Sequence, residues 1–316
     1  MRAILYGLTA SFFFAFTFIL NRSMELEGGF WTWSACLRFF FMLPLLLPLL
    51  LFMPRPAGLP GGESGTARLL SSLRHLRQNW LAYLVWSTVG FGLFYAPLSF
   101  AGSFGPGWLV ASTWQLTIIA GPLLAPFISP KGQNQFSGTL KAMRWSLLIL
   151  IGVALMQFEH AIGISAAEAL ACALPIVLAA FMYPLGNRMM MEVCKDDVDT
   201  FQRVFNMTVA SLPFWLLVAV YGGLAYGTPS GGQVAQSALV AVFSGVVATL
   251  LFFSATNLVK KNPSRLAAVE ATQSGEVLFA LLGEIILLSM PLPAWSSLLG
   301  MALVIAGMVL HSLRQA

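Results

Sequence analysis

Charge is what this sequence has least of. Its 316 residues carry 17 lysines and arginines and 12 aspartates and glutamates, so 9% are charged, against roughly 25% in a soluble domain. A chain this poor in charge and 58% hydrophobic cannot cover a water-facing surface. That excludes a soluble globular protein and points to a polytopic membrane protein. Cysteine is scarce as well. Cys36 and Cys172 lie in apolar runs and Cys194 near a charged loop, which excludes a disulfide framework and a zinc spacing. The histidines are His75, His160 and His311, each close to the end of an apolar run. There is no HExxH pattern and no phosphate-binding glycine loop. The sequence therefore offers no catalytic set, no metal site, no cofactor site and no ATP-driven pump, and an enzyme is not expected. The surplus of positive charge is scattered between apolar runs, which speaks for orientation in a bilayer and against nucleic-acid binding.

What the chain does have is apolar runs long enough to span. About ten follow one another, near Ala3–Leu20, Phe30–Phe52, Trp80–Ala101, Gly107–Ile128, Arg144–Phe158, Ala166–Asn187, Arg203–Leu224, Ala235–Leu258, Ser264–Leu288 and Ala294–Leu313. The first is too long for a signal-peptide core and lacks a small-residue cleavage site before Arg22, so it is read as a retained helix. Basic residues crowd every second connection, among them Arg55 to Arg77, Lys131 to Arg144, Arg188 to Arg203 and Lys260 to Arg265. The alternate connections hold only Arg22. This asymmetry predicts both termini in the cytoplasm and a multi-pass protein of the plasma membrane, the inner membrane of a bacterium. The loop 54–79 contains Leu69, Leu70, Leu73 and Leu76, spaced for a short basic helix on the membrane surface, or else it is a solvated linker. Its string Gly62-Glu63-Ser64-Gly65 is of a kind seen in intramembrane serine proteases. Here it falls in a Gly/Pro-rich loop and is read as chance.

The stretch Leu266 to Leu288 stands apart. It is apolar enough to cross a bilayer, yet it carries Glu270, Gln273, Glu276 and Glu284. A carboxylate inside a membrane segment costs roughly 2.5–3.5 kcal/mol on insertion scales. At 100° per residue the four fall within an arc of about 120°. That face should look into the protein, with Leu278, Leu281 and Leu282 turned to lipid or other helices.

The second signal is an internal repeat. Ala15-Phe16-Thr17-Phe18 leading to Asn21-Arg22 resembles Ala180-Phe181-Met182-Tyr183 leading to Asn187-Arg188. Arg38-Phe39-Phe40 matches Arg203-Val204-Phe205. Gly105-Pro106 matches Asn262-Pro263, and Gly152 matches Gly307. Two halves, 1–160 and 161–316, each of five spans, must face opposite ways because five is odd. Inverted-topology repeats are typical of secondary transporters, with the site near the midplane where the halves meet.

Taken in order, Gly7-Leu8, Arg38-Phe39, Tyr95-Ala96, Pro122 and Gly283-Glu284 make nearly the whole chain resemble the ten-helix exporters of the drug/metabolite transporter superfamily, relatives of the four-helix small multidrug resistance proteins. The Asn-Arg pair after the first and sixth spans is similar to a subgroup named for multidrug efflux. The resemblance implies an all-α five-plus-five inverted repeat around a central cavity, and alternating-access export of small metabolites or drugs. The chain departs from the pattern at Glu276-Val277, where the family often has Glu-Pro, and in the additional Glu270.

The residues suggest roles. A mid-membrane carboxyl at Glu276 can release a proton when substrate arrives and regain it afterwards, giving proton-coupled antiport. The bland alternative is a permanent structural partner. Glu270 either lines an inner vestibule or pairs with Lys260, Lys261 or Arg265. Glu284, near the outer end, suits a bond to a neighbouring helix end. Arg38 needs an acceptor: Glu276 or Glu284, a backbone carbonyl, or an anionic substrate. Arg203 is expected to snorkel, and Ser165 to Glu168 fits a capping box. Trp114, Gln115, Thr117, Tyr95, Asn257 and Tyr183 complete the candidates for the substrate and proton pathway. The expected partners are a small-molecule substrate, protons and lipid, with the chain as a monomer or weak homodimer. An uncoupled facilitator or importer, or a lipid-translocating protein, is the competing function.

Overall fold

The computed structural model describes residues 1–53, 65–128, 136–195, 197–259 and 263–314, and all regular structure among them is helical. The helices are α1 (Arg2–Leu26), α2 (Trp31–Phe52), α3 (Gly65–Gln78), α4 (Trp80–Ala101), α5 (Gly107–Trp114), α6 (Thr117–Ile128) and α7 (Phe136–His160). There follow α8 (Ala166–Cys194), α9 (Thr200–Tyr226), α10 (Gly231–Val259), α11 (Pro263–Ala271), α12 (Gly275–Leu288) and α13 (Trp295–Arg314). Among the described residues, 7 helices are long and apolar enough to cross a membrane, and Trp145–His160 and Trp295–Leu310 are shorter apolar stretches. Their outer surfaces carry large exposed apolar side chains such as Leu217, Leu224, Phe158 and Ile286. The chain is a multi-pass membrane protein.

Local chemistry fixes the helix ends. The capping box expected at Ser165 is present, with Ser165 Oγ accepting from Glu168 N–H. A second box opens α9, where Asp199 and Gln202 cap each other at 3.0 Å. At the far end of α12, Ser289 takes a left-handed conformation (φ 53°), and Pro291 and Pro293 forbid continuation.

The structure differs from the sequence expectation in several elements. Arg22 lies within the last turns of α1, not in a connection. The expected fourth span is interrupted at Gln115-Leu116, between α5 and α6. The ninth tightens into a 3₁₀ turn over Thr272–Ser274, between α11 and α12. Two helices widen locally into π-turns, α4 at Thr88–Gly92 and α10 at Ala241–Ala248. Such irregular turns are tolerated in a bilayer where they face protein or a cavity.

Lipid supplies no hydrophobic drive between helices, so packing and small residues hold them together. α4 crosses α8 at Gly90 and Gly186, whose backbones meet. α7 packs on α13, where a Cβ on Gly300 would come within 2.8 Å of the Gly152 carbonyl oxygen. Phe39 stacks on Trp215 at 4.3 Å and joins α2 to α9.

The helix anticipated in the loop 54–79 forms as α3, but with a different buried face. Arg68 and Ser72 are inside, while Leu70 and Leu73 are exposed. Arg68 Nε donates to Asp199 Oδ2 at 2.8 Å, and its Nη1 donates to the Met53 carbonyl at 2.9 Å. Ser72 Oγ donates to Asn206 Oδ1 at 2.7 Å, and His75 Nδ1 lies 3.0 Å from the Tyr83 hydroxyl. The helix is therefore latched to α9 by its polar face, with Leu70 and Leu73 on the outer side. Residues 62–64 of the Gly62–Gly65 string lie outside the described residues, as do Lys260 and Lys261.

Candidate functional site

A cavity of about 350 Å³ opens among α1, α2, α4, α5, α6, α8, α9, α10, α11 and α12. Among the described residues, α3, α7 and α13 contribute nothing to its wall. The irregular turns position it. The break after Trp114 sets Trp114 and Thr117 in the wall, and the 3₁₀ turn does the same for Glu270, Gln273 and Glu276. The π-turn of α4 places Phe91 there, and that of α10 places Ser244.

Of the pathway candidates, Glu276, Glu270, Gln273 and Trp114 line the cavity, as do Tyr183 and Asn257. Glu276 is 2% exposed, and among the described residues no cation lies within ion-pair distance of it. Glu270 shares the wall with Arg188. Gln115 and Tyr95 stand behind the wall, fully buried. Gln115 Nε2 donates to the Ala111 carbonyl at 3.0 Å. Tyr95 exchanges hydrogen bonds with Asn21 at 3.3 and 3.4 Å.

Glu284 belongs elsewhere. Gly107 N–H donates to its Oε1 at 2.6 Å and Trp108 N–H to its Oε2 at 3.3 Å. Pro106 gives α5 no side-chain cap, so the carboxylate caps that helix from α12. Both the open N–H groups and the helix dipole favour an anion there. A Cβ on Gly107 would lie 2.8 Å from Glu284 Oε1, which reserves the position for glycine. Leu278 and Leu282 of the same segment face outward as expected, whereas Leu281 is buried.

Arg38 lines the cavity at 4% exposure, its guanidinium 4.0 Å from the Tyr95 ring centroid. Arg203 does not snorkel. It lines the cavity with its guanidinium 4.5 Å from the Phe253 centroid, because α9 begins at Thr200 and carries residue 203 inside the bundle. Its match to Arg38 in the repeat was the signal for this placement. The remaining wall is aromatic, with Phe14, Phe94 and Phe252 beside Thr17, whose hydroxyl donates to Ser244 Oγ at 2.5 Å. Sequence reasoning did not single out these phenylalanines, because 25 phenylalanines in an apolar chain carry no positional signal.

Chemically, this is a small apolar chamber with a few convergent charged groups, the usual form of a small-molecule site. Comparison with known proteins agrees. Residues 1–316 match the family model "EmrE: Putative multidrug resistance efflux transporter". The Bacillus subtilis (strain 168) "Uncharacterized protein YjlA" is 51% identical over 320 residues, covering 99% of this chain and 94% of that one. A Shouchella clausii "Uncharacterized 42.1 kDa protein in intracellular alkaline protease 3'region" is 44% identical over 280 residues, 87% of this chain and 70% of that protein. A solved structure titled "Crystal structure of protein" aligns with a TM-score of 0.58 over 98% of this chain and 95% of its own, at 14% identity. That likeness speaks to the fold alone. The chain belongs to the EmrE-type family of transporters, within the drug/metabolite transporter superfamily.

Proposed function

We propose that this protein is a secondary active transporter that exports small organic metabolites or drugs across the plasma membrane in exchange for protons. It would do so through alternating access between two inverted five-helix halves, 1–160 and 161–316, with both termini cytoplasmic. The carrying observation is Glu276, a buried carboxyl in the cavity wall with no counter-charge beside it among the described residues. Ionising such a group in a low-dielectric setting costs several kcal/mol unless a cation arrives. A cationic group entering the cavity supplies the counter-charge, and the proton leaves. When the substrate departs, the proton returns.

The paired irregularities support the inverted repeat. The π-turn of α4 has its counterpart in α10, and the interruption between α5 and α6 has its counterpart between α11 and α12. Packing is paired too: α1 lies on α12 as α8 lies on α6, and α1 lies on α10 as α8 lies on α4. The basic connections identified in the sequence support the cytoplasmic placement of the termini.

The test uses proteoliposomes with an internal pH dye and an imposed pH gradient. A panel of amino acids, amines and lipophilic cations is added to wild type and to Glu276→Gln. Solute-dependent proton flux in wild type, lost in the substituted protein, is the expected result. Solute movement without protons and unchanged by Glu276→Gln would replace the exchanger with a facilitator.

A further inference from the structure

We infer that the cavity accepts an anionic group of its substrate, and that Arg38 and Arg203 are two stations for that group, one in each half of the chain. This deepens the transporter reading and rests on it for placing both stations on one path.

The wall includes residues with buried donors left without an acceptor among the described residues. Among the described residues the buried Nε atoms of Arg38 and Arg203 and the Nε2 of Gln273 have no hydrogen-bond partner, and all three residues line the cavity. Among the described residues no carboxylate lies within ion-pair distance of either arginine. Glu270 lines the same cavity without pairing with either. Arg38 and Arg203 rest instead on aromatic rings, Tyr95 and Phe253. A ring face steadies a guanidinium but leaves its donor edge open. A guanidinium placed only for packing would be met by a carboxylate or a carbonyl. These two are left for a ligand that brings its own acceptors, and a carboxylate matches the guanidinium fork.

The arrangement is built twice. Arg38-Phe39 in α2 corresponds to Arg203-Val204 in α9. Leu93-Phe94-Tyr95, just past the π-turn of α4, corresponds to Leu251-Phe252-Phe253, just past that of α10. Each half therefore carries one arginine laid on one ring of the adjoining span. Tyr183 lines the same cavity as Arg38, Arg203 and Glu276. The substrate class that fits is a flat aromatic body bearing a carboxylate. A cationic group on the same molecule would meet Glu276.

The test is titration calorimetry on the purified full-length chain with four probes sharing one ring: 4-methylbenzoate, 4-(aminomethyl)benzoate, 4-methylbenzylamine and 4-methylbenzyl alcohol. Both carboxylates should bind roughly tenfold or more tighter than the alcohol. Arg38→Gln and Arg203→Gln should each weaken the carboxylates by about tenfold and leave the alcohol unchanged. Arg38→Lys and Arg203→Lys, which keep the charge, should fall between and decide the matter if the glutamine forms do not fold. The inference is overturned if no probe binds, if the alcohol binds as tightly as the carboxylates, or if well-folded arginine variants keep wild-type carboxylate affinity. Proton flux driven by 4-(aminomethyl)benzoate and unaffected by the arginine variants would remove the stations and leave the transporter. Carboxylate binding that depends on both arginines, with no solute flux in vesicles, would keep the anion site and remove the transporter.

Discussion

Glu276 and Glu284 stand two turns apart on one helix and do different work. Spacing alone groups them, since both fall on the inward arc of the segment 266–288. What separates them is the partner that tertiary packing brings. Glu284 meets the open N–H groups of Gly107 and Trp108, whereas Glu276 meets the cavity. Glu284→Ala leaves two buried N–H groups without an acceptor and should destabilise the protein by about 1–3 kcal/mol. Glu284→Gln keeps a carbonyl oxygen in place and should cost much less. Thermal unfolding in detergent distinguishes them, and equal losses would contradict the cap. The residue types of the site were legible in the sequence, because a carboxylate in an apolar span is rare. Their partners were not, since the contacts from Glu284 to Gly107 and from Arg203 to Phe253 join distant parts of the chain.

The helix α3 carries the lesson for elements. Its leucines suggested a helix on the membrane surface, and nothing in their spacing pointed to Arg68 finding Asp199, 131 positions away. Arg68 is 2% exposed and Asp199 4%. Removing one partner of a buried pair strands the other, so Asp199→Ala should cost about 3–5 kcal/mol. A loss below the scatter of repeated melts would show that α3 is not a latch. Its docking should also depend on pH. Burial holds the His75 imidazole below its ordinary value of 6.5, against the opposing pull of Asp197. The folded chain keeps the ring neutral where an unfolded chain has begun to take up a proton. The stabilisation is complete above 6.5 and is lost as pH falls from there through the lowered folded value. Between about pH 7.5 and 5.5, wild type should therefore lose more thermal stability than His75→Asn. Parallel curves would contradict it. The membrane helices themselves were legible to within a few residues at most ends, because apolar length is a direct physical requirement. Their π-turns and breaks were not, because those depend on close approaches such as Gly90 to Gly186. Gly186→Val should drive α4 and α8 apart and lower yield and melting temperature together. A normal melt would refute the close approach.

At the scale of the whole molecule, the cavity draws its wall from residues spread between Phe14 and Glu276. Ten of the helices supply parts of its wall, and α7 and α13 pack on each other outside it. The likeness of Asn21-Arg22 to Asn187-Arg188 is legible in the sequence, and irregular turns occur in α4 and α10 and between α5 and α6 and α11 and α12. The central claim is that substrate and proton exclude one another at Glu276. The most direct measurement counts protons released into weakly buffered solution when a solute that drives flux is added to purified protein. Wild type should release a proton with each solute bound, and Glu276→Gln should bind the solute and release none. Equal release from both proteins, or binding to wild type with no release, would contradict the account.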